Sequence, residues 1–264
     1  PSWKGLLRIL LRRCWRKVAG KWISTRDKVL CGRLNVLADP LAQFLMETLG
    51  VEYSRSDQFN VSPTAQVDVL ANSAELGRQL LPMRWWLVPS WAKELTTKYS
   101  MFNARVESAS RSPAFQGPYK NQRCVVPVSG YYEWTKELGK KVPRLIRPRS
   151  SSGLLLAGLW DRWGQGHDPV LSFTILTTAA SESLRFIHPR QPVMLSPENA
   201  KDWLDVSIPT RDMESVFESR VPQSLEVVPV SAHVNNSSNQ GPRCVESIGE
   251  HLVINQDPKG VTSN

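Results

Sequence analysis

Apolar positions along this chain recur in short blocks rich in β-branched residues, each bounded by Gly, Pro or Ser. Arg123–Val128, Arg144–Arg147, Leu154–Leu159, Leu171–Thr177 and Glu226–Val230 are of this kind and are predicted to be strands. Helical patterning is rarer. Leu41–Leu49 reads as a helix stopped by Gly50, a residue suited to the left-handed backbone of a C-terminal cap. Ser196-Pro197-Glu198 supplies an N-cap, a proline at the first helical position and an early acid ahead of Trp203, and Thr210 is placed as the cap of a run through Phe217. Strands with helices inserted, without a regular βαβ alternation, predict an α+β domain with a mainly antiparallel sheet. No internal repeat interrupts it. The globular pattern covers residues 31–250, and the polar tail 251–264 is expected to fray.

Composition supports a packed core, with 41% apolar residues and ten tryptophans. No apolar run approaches the roughly 18–20 residues that span a bilayer. Charge is unevenly placed. Residues 1–30 hold nine Lys and Arg against the single acid Asp27, a net +8 of the chain's +9, which leaves +1 for residues 31–264. The basic segment is read as an N-terminal extension, with Leu6, Leu7, Ile9, Leu10 and Leu11 able to line one side of a short amphipathic helix. A nearly neutral domain binds DNA only through a local groove of Arg and Lys, since bulk charge supplies no field.

Cys14, Cys31, Cys124 and Cys244 are scattered without a C-x-x-C pair, and the four histidines show no H-x-x-x-H spacing. Structural zinc normally needs paired ligands, so no metal and no cofactor is expected, and the cysteines read as reduced thiols of a cytosolic protein. The chemistry-bearing strings are Cys31-Gly32-Arg33, Asn60-Val61-Ser62-Pro63-Thr64, Arg84-Trp85-Trp86 through Trp91, Asn103-Ala104-Arg105-Val106-Glu107, Gly130-Tyr131-Tyr132-Glu133-Trp134, His188-Pro189-Arg190-Gln191-Pro192-Val193 and Val234-Asn235-Asn236. Taken singly each has an ordinary reading: Glu133 as a strand carboxylate paired with an arginine, His188 as a satisfied structural histidine, Asn103 as a turn residue, Cys124 as a small buried hydrophobe.

Together and in this order, C-G-R, N-A-R-x-E, G-Y-Y-E-W and H-x-R-x-P-V resemble the SRAP family, the SOS-response-associated peptidase or abasic-site-processing proteins, over Cys31 to about Asn236. The resemblance implies a barrel-like β core with peripheral helices, acting as a monomer on abasic sites in single-stranded DNA. It implies that Cys31 becomes the N-terminus and crosslinks to the ring-opened sugar. Asn103 would orient the amine and the sugar, Glu133 would shuttle protons, and His188 would assist ring opening. Arg105 and Arg190 match arginines along the DNA backbone; Arg33, Arg84 and Trp85 are assigned to the same DNA surface. An α-amine with a pKa of about 7.7–8.0 is partly neutral and nucleophilic at cytosolic pH. It condenses with the aldehyde, and the adjacent thiol closes a thiazolidine, a ring that only a 1,2-aminothiol forms.

Two departures stand out. Cys31 follows Leu30 where the family has an initiator methionine, so its nitrogen is an amide unless residues 1–30 are absent from the mature protein. Removal by the protein itself or by a protease, a start site assigned too far upstream, and a retained extension on a DNA-binding protein are the three explanations; the break in composition and the position of Leu30 favour the second. Gln191 and Pro189 also depart from the family's H-x-R string and are expected to alter local DNA contacts. The competing functions are a cysteine peptidase or amidohydrolase using Cys31, His188 and Glu133, and a non-catalytic single-strand-binding module.

Overall fold

A computed structural model describes residues 32–73, 77–95, 99–164 and 168–258. Cys31 and the basic segment 1–30 lie outside the described residues. The chain runs through β1 (Leu34–Val36), α1 (Ala38–Leu49), β2 (Gln58–Val61), β3 (Gln66–Ser73), β4 (Gly77–Trp85), β5 (Asn103–Arg105), α2 (Val106–Ala109) and α3 (Gln116–Asn121). It continues with β6 (Arg123–Val128), β7 (Gly130–Glu137), β8 (Lys140–Pro148), β9 (Leu154–Trp163), β10 (Val170–Ala179), β11 (Arg190–Pro192), β12 (Met194–Leu195) and α4 (Pro197–Leu204). A 3₁₀ segment (Thr210–Phe217), β13 (Leu225–Pro229) and β14 (Leu252–Ile254) complete it.

The strands form two sheets among the described residues. One has the order β14-β13-β8-β7-β1-β2 and is antiparallel throughout. In the other, β10-β4-β3-β6-β9 closes on itself because β9 also pairs with β10, giving a small barrel. Its parallel contacts are β10 with β4 and β10 with β5. The fold is therefore α+β and mainly antiparallel with a barrel-like core, as the sequence pattern and the resemblance predict.

Burial explains why β6 and β9 read as continuous apolar runs rather than alternating ones. They have the barrel interior on one face and α4 on the other, so Val125, Val126, Leu156 and Leu159 are all buried completely. Each such side chain contributes about 1.5–3 kcal/mol of transfer free energy. Trp203 of α4 is fully buried in this layer and donates its indole N–H to the Cys124 carbonyl at 2.9 Å. Cys124 is a buried hydrophobe whose thiol pKa is pushed up by that burial. Arg123, at the start of β6, is buried too. Its guanidinium donates to the carbonyls of Asp205 and Ile208 and to Thr210 Oγ1, capping the exit of α4, and it lies 5.2 Å from the Trp203 ring centroid. Cations at a helix C-terminus meet the negative end of its dipole.

The helix signals largely hold. Gly50 takes φ 65° and closes α1 with an N–H to the Met46 carbonyl at 3.1 Å. Ser196 accepts from the Asn199 N–H at 3.2 Å as an N-cap. Two expectations are corrected. Thr210 does not cap its segment; its hydroxyl is buried and donates to the Tyr119 carbonyl at 2.6 Å. The polar tail is not frayed throughout, because Leu252–Ile254 adds an edge strand to β13. Leu252, Val253 and Ile254 are an apolar run within the tail, and with Ile254 buried they pair with the open edge of β13.

The β7–β8 hairpin turns through Leu138 and Gly139, at φ 47° and 80°, with Glu137 opposite Lys140. A leucine with positive φ is strained, and here the side chain is fully exposed and gains nothing in return. Leu138→Asn is expected to raise stability to chemical denaturation by about 0.5–1 kcal/mol; an unchanged or lower midpoint would refute strain at this turn.

Candidate functional site

The start of the described chain is fastened by residues far apart in sequence. The Arg33 carbonyl accepts the Tyr132 N–H at 3.0 Å, and Leu34 pairs with Tyr131, so the chain entering β1 runs beside β7. Successive side chains of β7 point to opposite faces. Tyr131 and Glu133 share the face turned to the main core; Tyr132 and Trp134 share the other.

Arg33 is on the second face. Its guanidinium lies 5.6 Å from the Trp134 ring centroid and donates to Asn60 Oδ1 at 2.6 Å and to the Val234 carbonyl at 2.9 Å. Burial lowers its pKa without removing its charge. The Asn60 amide is shared among the carbonyls of Val234, Asn236 and Asn239 at 2.9–3.3 Å. Trp134 donates to Asn235 Oδ1 at 2.7 Å, and Tyr132 to the Phe59 carbonyl at 2.7 Å. Four of the sequence strings thus meet in one clamp. Arg33, assigned to DNA on sequence grounds, turns inward and anchors the residues next to Cys31.

Around the C-terminal half of β10 a second group assembles. Asn103, Ala104 and Arg105 pair in parallel with Ile175, Leu176 and Thr177 on one side; Arg190, Gln191 and Pro192 pair with Ala179, Thr178 and Thr177 on the other. His188, buried, precedes β11, and the Arg190 main-chain N–H donates to its Nδ1 at 3.2 Å. The Arg190 main-chain carbonyl lies 3.3 Å from the same Nδ1, so this nitrogen faces a donor and an acceptor of one residue. The Arg190 guanidinium crosses β10. It donates to the Thr177 carbonyl at 2.5 Å and, through Nη1 and Nη2, to both Glu107 carboxylate oxygens at 2.9 and 3.0 Å. That bidentate pair holds the Glu107 carboxyl below its usual pKa. Thr177 Oγ1 donates in turn to the Ala104 carbonyl at 3.3 Å. Asn103, Arg105, His188 and Arg190 are thereby brought to one end of β10, while Glu133 is buried on β7 of the other sheet.

Trp85 is corrected. It is 0% exposed, stacks 6.4 Å from Phe173, meets Phe102 edge-on at 5.8 Å, and donates to the Phe102 carbonyl at 2.9 Å. No base can reach it. Neighbouring tryptophans on extended chain point to opposite sides, and tertiary packing selects Trp85 for the barrel. Trp86, half-buried, and Trp91, 66% exposed, are the accessible aromatics of that string. Arg84 is half-buried, with its pKa lowered by desolvation, while Arg105 is exposed. Gln191 is corrected as well: it is buried, accepts the Ser181 N–H at 2.8 Å and donates to the Arg220 carbonyl at 2.7 Å, so it braces the loop carrying His188 from inside.

Sequence reasoning gave no role to Glu107, Thr177 or Asn60. Glu107 sits inside the N-A-R-x-E string and Asn60 opens the N-V-S-P-T string, whereas Thr177 carries no such signal. No three His, Cys, Asp or Glu side chains gather as metal ligands among the described residues, and no described helix is long and apolar enough to cross a membrane.

A small closed barrel flanked by an antiparallel sheet, with these strings meeting at its edges, defines an SRAP-type α+β domain. The family model described as SOS response associated peptidase (SRAP) matches residues 30–237, and the chain belongs to that family. Abasic site processing protein YoqW of Bacillus subtilis is 33% identical over 83% of this chain and 100% of its own length. Abasic site processing protein HMCES of Gallus gallus is 34% identical over 74% of this chain and 64% of its own. A crystal structure of a Bacteroides thetaiotaomicron protein shares the fold with a TM-score of 0.68 at 22% identity, over 83% of this chain and all of that one.

Asn60→Ala would leave the Arg33 guanidinium and three carbonyls with fewer partners in a mostly dry site. The expected loss is about 2–4 kcal/mol in a denaturant melt, with faster amide exchange at Arg33 and Leu34. A loss under 0.5 kcal/mol with unchanged exchange would show that the clamp does not hold the chain start.

Proposed function

We propose that this protein captures abasic sites in single-stranded DNA covalently, using Cys31 exposed as the first residue of a mature chain. The observation that carries the reading is the gathering of four of the candidate residues at one end of β10. Asn103, Arg105, His188 and Arg190 share one end of β10, Glu133 lies buried on the core-facing side of β7, and the Arg33 clamp runs the chain next to Cys31 along that same strand. The family match opening at residue 30, and relatives named abasic site processing proteins, support it.

The chemistry follows from the residue types. His188 donates a proton to the sugar ring oxygen as the bond from that oxygen to the anomeric carbon breaks, and the anomeric hydroxyl gives its proton to Glu133 as it becomes the aldehyde. The neutral Cys31 amine adds to the aldehyde carbon, and loss of water gives an imine. Glu133 takes and returns the protons of addition and dehydration. The Cys31 thiol then adds across the C=N bond; sulfur bonds to carbon, the proton goes to nitrogen, and a thiazolidine results with no other product. Asn103 orients amine and sugar, while Arg105 and Arg190 hold flanking phosphates. The peptide bond before Cys31 must be broken, or never made, for the amine to exist.

Protein cleaved before Cys31 is expected to form an adduct with an abasic single strand that survives denaturing electrophoresis; Cys31→Ala and chain retaining residue 30 should form none. Persistence of the adduct in either would overturn the assignment. Glu133→Gln and His188→Ala are expected to slow adduct formation by about 10²–10⁴-fold. The rate should rise between pH 6 and 8 as the α-amine loses its proton, and a rate that is flat over this range would exclude the amine as nucleophile.

A further inference from the structure

The arginine best placed to grip a phosphate is already gripping something else. Arg190 presents its Nη1–Nη2 edge to the Glu107 carboxylate, and its remaining bonds run inward to the Thr177 carbonyl and hydroxyl. A carboxylate bound to a guanidinium edge occupies the place, charge and geometry that a phosphate would take. While it is there, the pair is electrically neutral and that edge of Arg190 cannot contact a DNA strand bidentately.

The two partners differ in how firmly they are held. The Arg190 side chain is 18% exposed and tied to β10, whereas the Glu107 side chain is 54% exposed on the single-turn α2. Glu107 also has somewhere to go. A cavity of about 410 Å³ opens beside it, lined by Ser110, Arg111, Tyr119, Glu214 and Phe217. Arg111 already donates to the Glu107 main-chain carbonyl at 3.0 Å, which puts a second guanidinium within a turn of the carboxylate. Glu214 lines the same cavity and opposes a second anion there, so the receiving group is Arg111.

We propose that Glu107 is an exchangeable counter-ion, seated on Arg190 in the free protein and displaced toward Arg111 when a DNA phosphate takes its place. This rests on the reading of the site as a single-strand DNA surface. It gives a nearly neutral domain a way to keep Arg190 from holding arbitrary anions: a ligand must outcompete a preformed bidentate pair. A phosphate diester held by additional contacts along the strand does so, and a lone small anion does not.

The test is equilibrium binding of the full chain to a short single strand carrying a tetrahydrofuran abasic analogue, which has no aldehyde and cannot crosslink. Glu107→Gln keeps the shape and loses the charge, and it is expected to bind about three- to tenfold more tightly, the range expected from freeing a partly exposed pair. Glu107→Asp, one methylene shorter and so drawn back from the Arg190 edge, should move in the same direction by less. The gain must vanish when Arg190→Gln is also present. An equal gain in that background would mean only that a negative charge had been removed near DNA, and weaker binding in Glu107→Gln would mean that the carboxylate aims Arg190 rather than blocks it; either result overturns the proposal. Failure of the unaltered chain to bind the strand at all would instead bring down the functional reading on which it rests.

Discussion

β10 has more neighbours than a strand can pair with along its whole length, and the site exists because it divides them. Its first half lies between β4 and β9 and closes the barrel; its second half lies between β5 and β11. Only two edges are available to a strand, so β4 and β9 must end where β5 and β11 begin. Asn103 and Arg105 enter at that exchange on one edge and Arg190 on the other, with His188 held by Arg190's own backbone. Thr177, at the exchange itself, ties the two edges together through its carbonyl and hydroxyl.

The second sheet solves a different problem, which is to fix the beginning of the domain. Hydrogen bonding of β1 to β7 sets direction and register, but a three-residue strand at a chain start frays readily. Arg33 prevents this by reaching across β7 into the loop that follows β13, where Asn60 and Trp134 complete its partners. Because adjacent residues of an extended chain alternate in direction, Arg33 on one face of β7 leaves the other face to Tyr131 and Glu133.

Charge is managed locally in both places. Arg33 and Arg123 are surrounded by carbonyls and aromatic rings rather than carboxylates, and Arg190 by a carboxylate near solvent. The first two hold the fold, Arg123 fully buried and Arg33 half-buried. The third keeps a partner of its own kind of geometry within reach of water, where exchange is feasible. A count of basic residues would have scored the three alike.

The sequence by itself determined the strand class, the helix ends at Gly50 and Ser196, the buried character of Cys124 and the family strings, because each depends on local periodicity, a special backbone angle or a fixed order of residues. It left undecided which of Trp85 and Trp86 faces inward, whether Arg33 meets DNA or Asn60, what Gln191 touches, and that Glu107 sits on Arg190. Those outcomes depend on pairings between residues 10 to 201 positions apart. Two faces of an extended chain are equivalent until another strand or a partner for a buried polar group breaks the symmetry, and only the folded barrel supplies either.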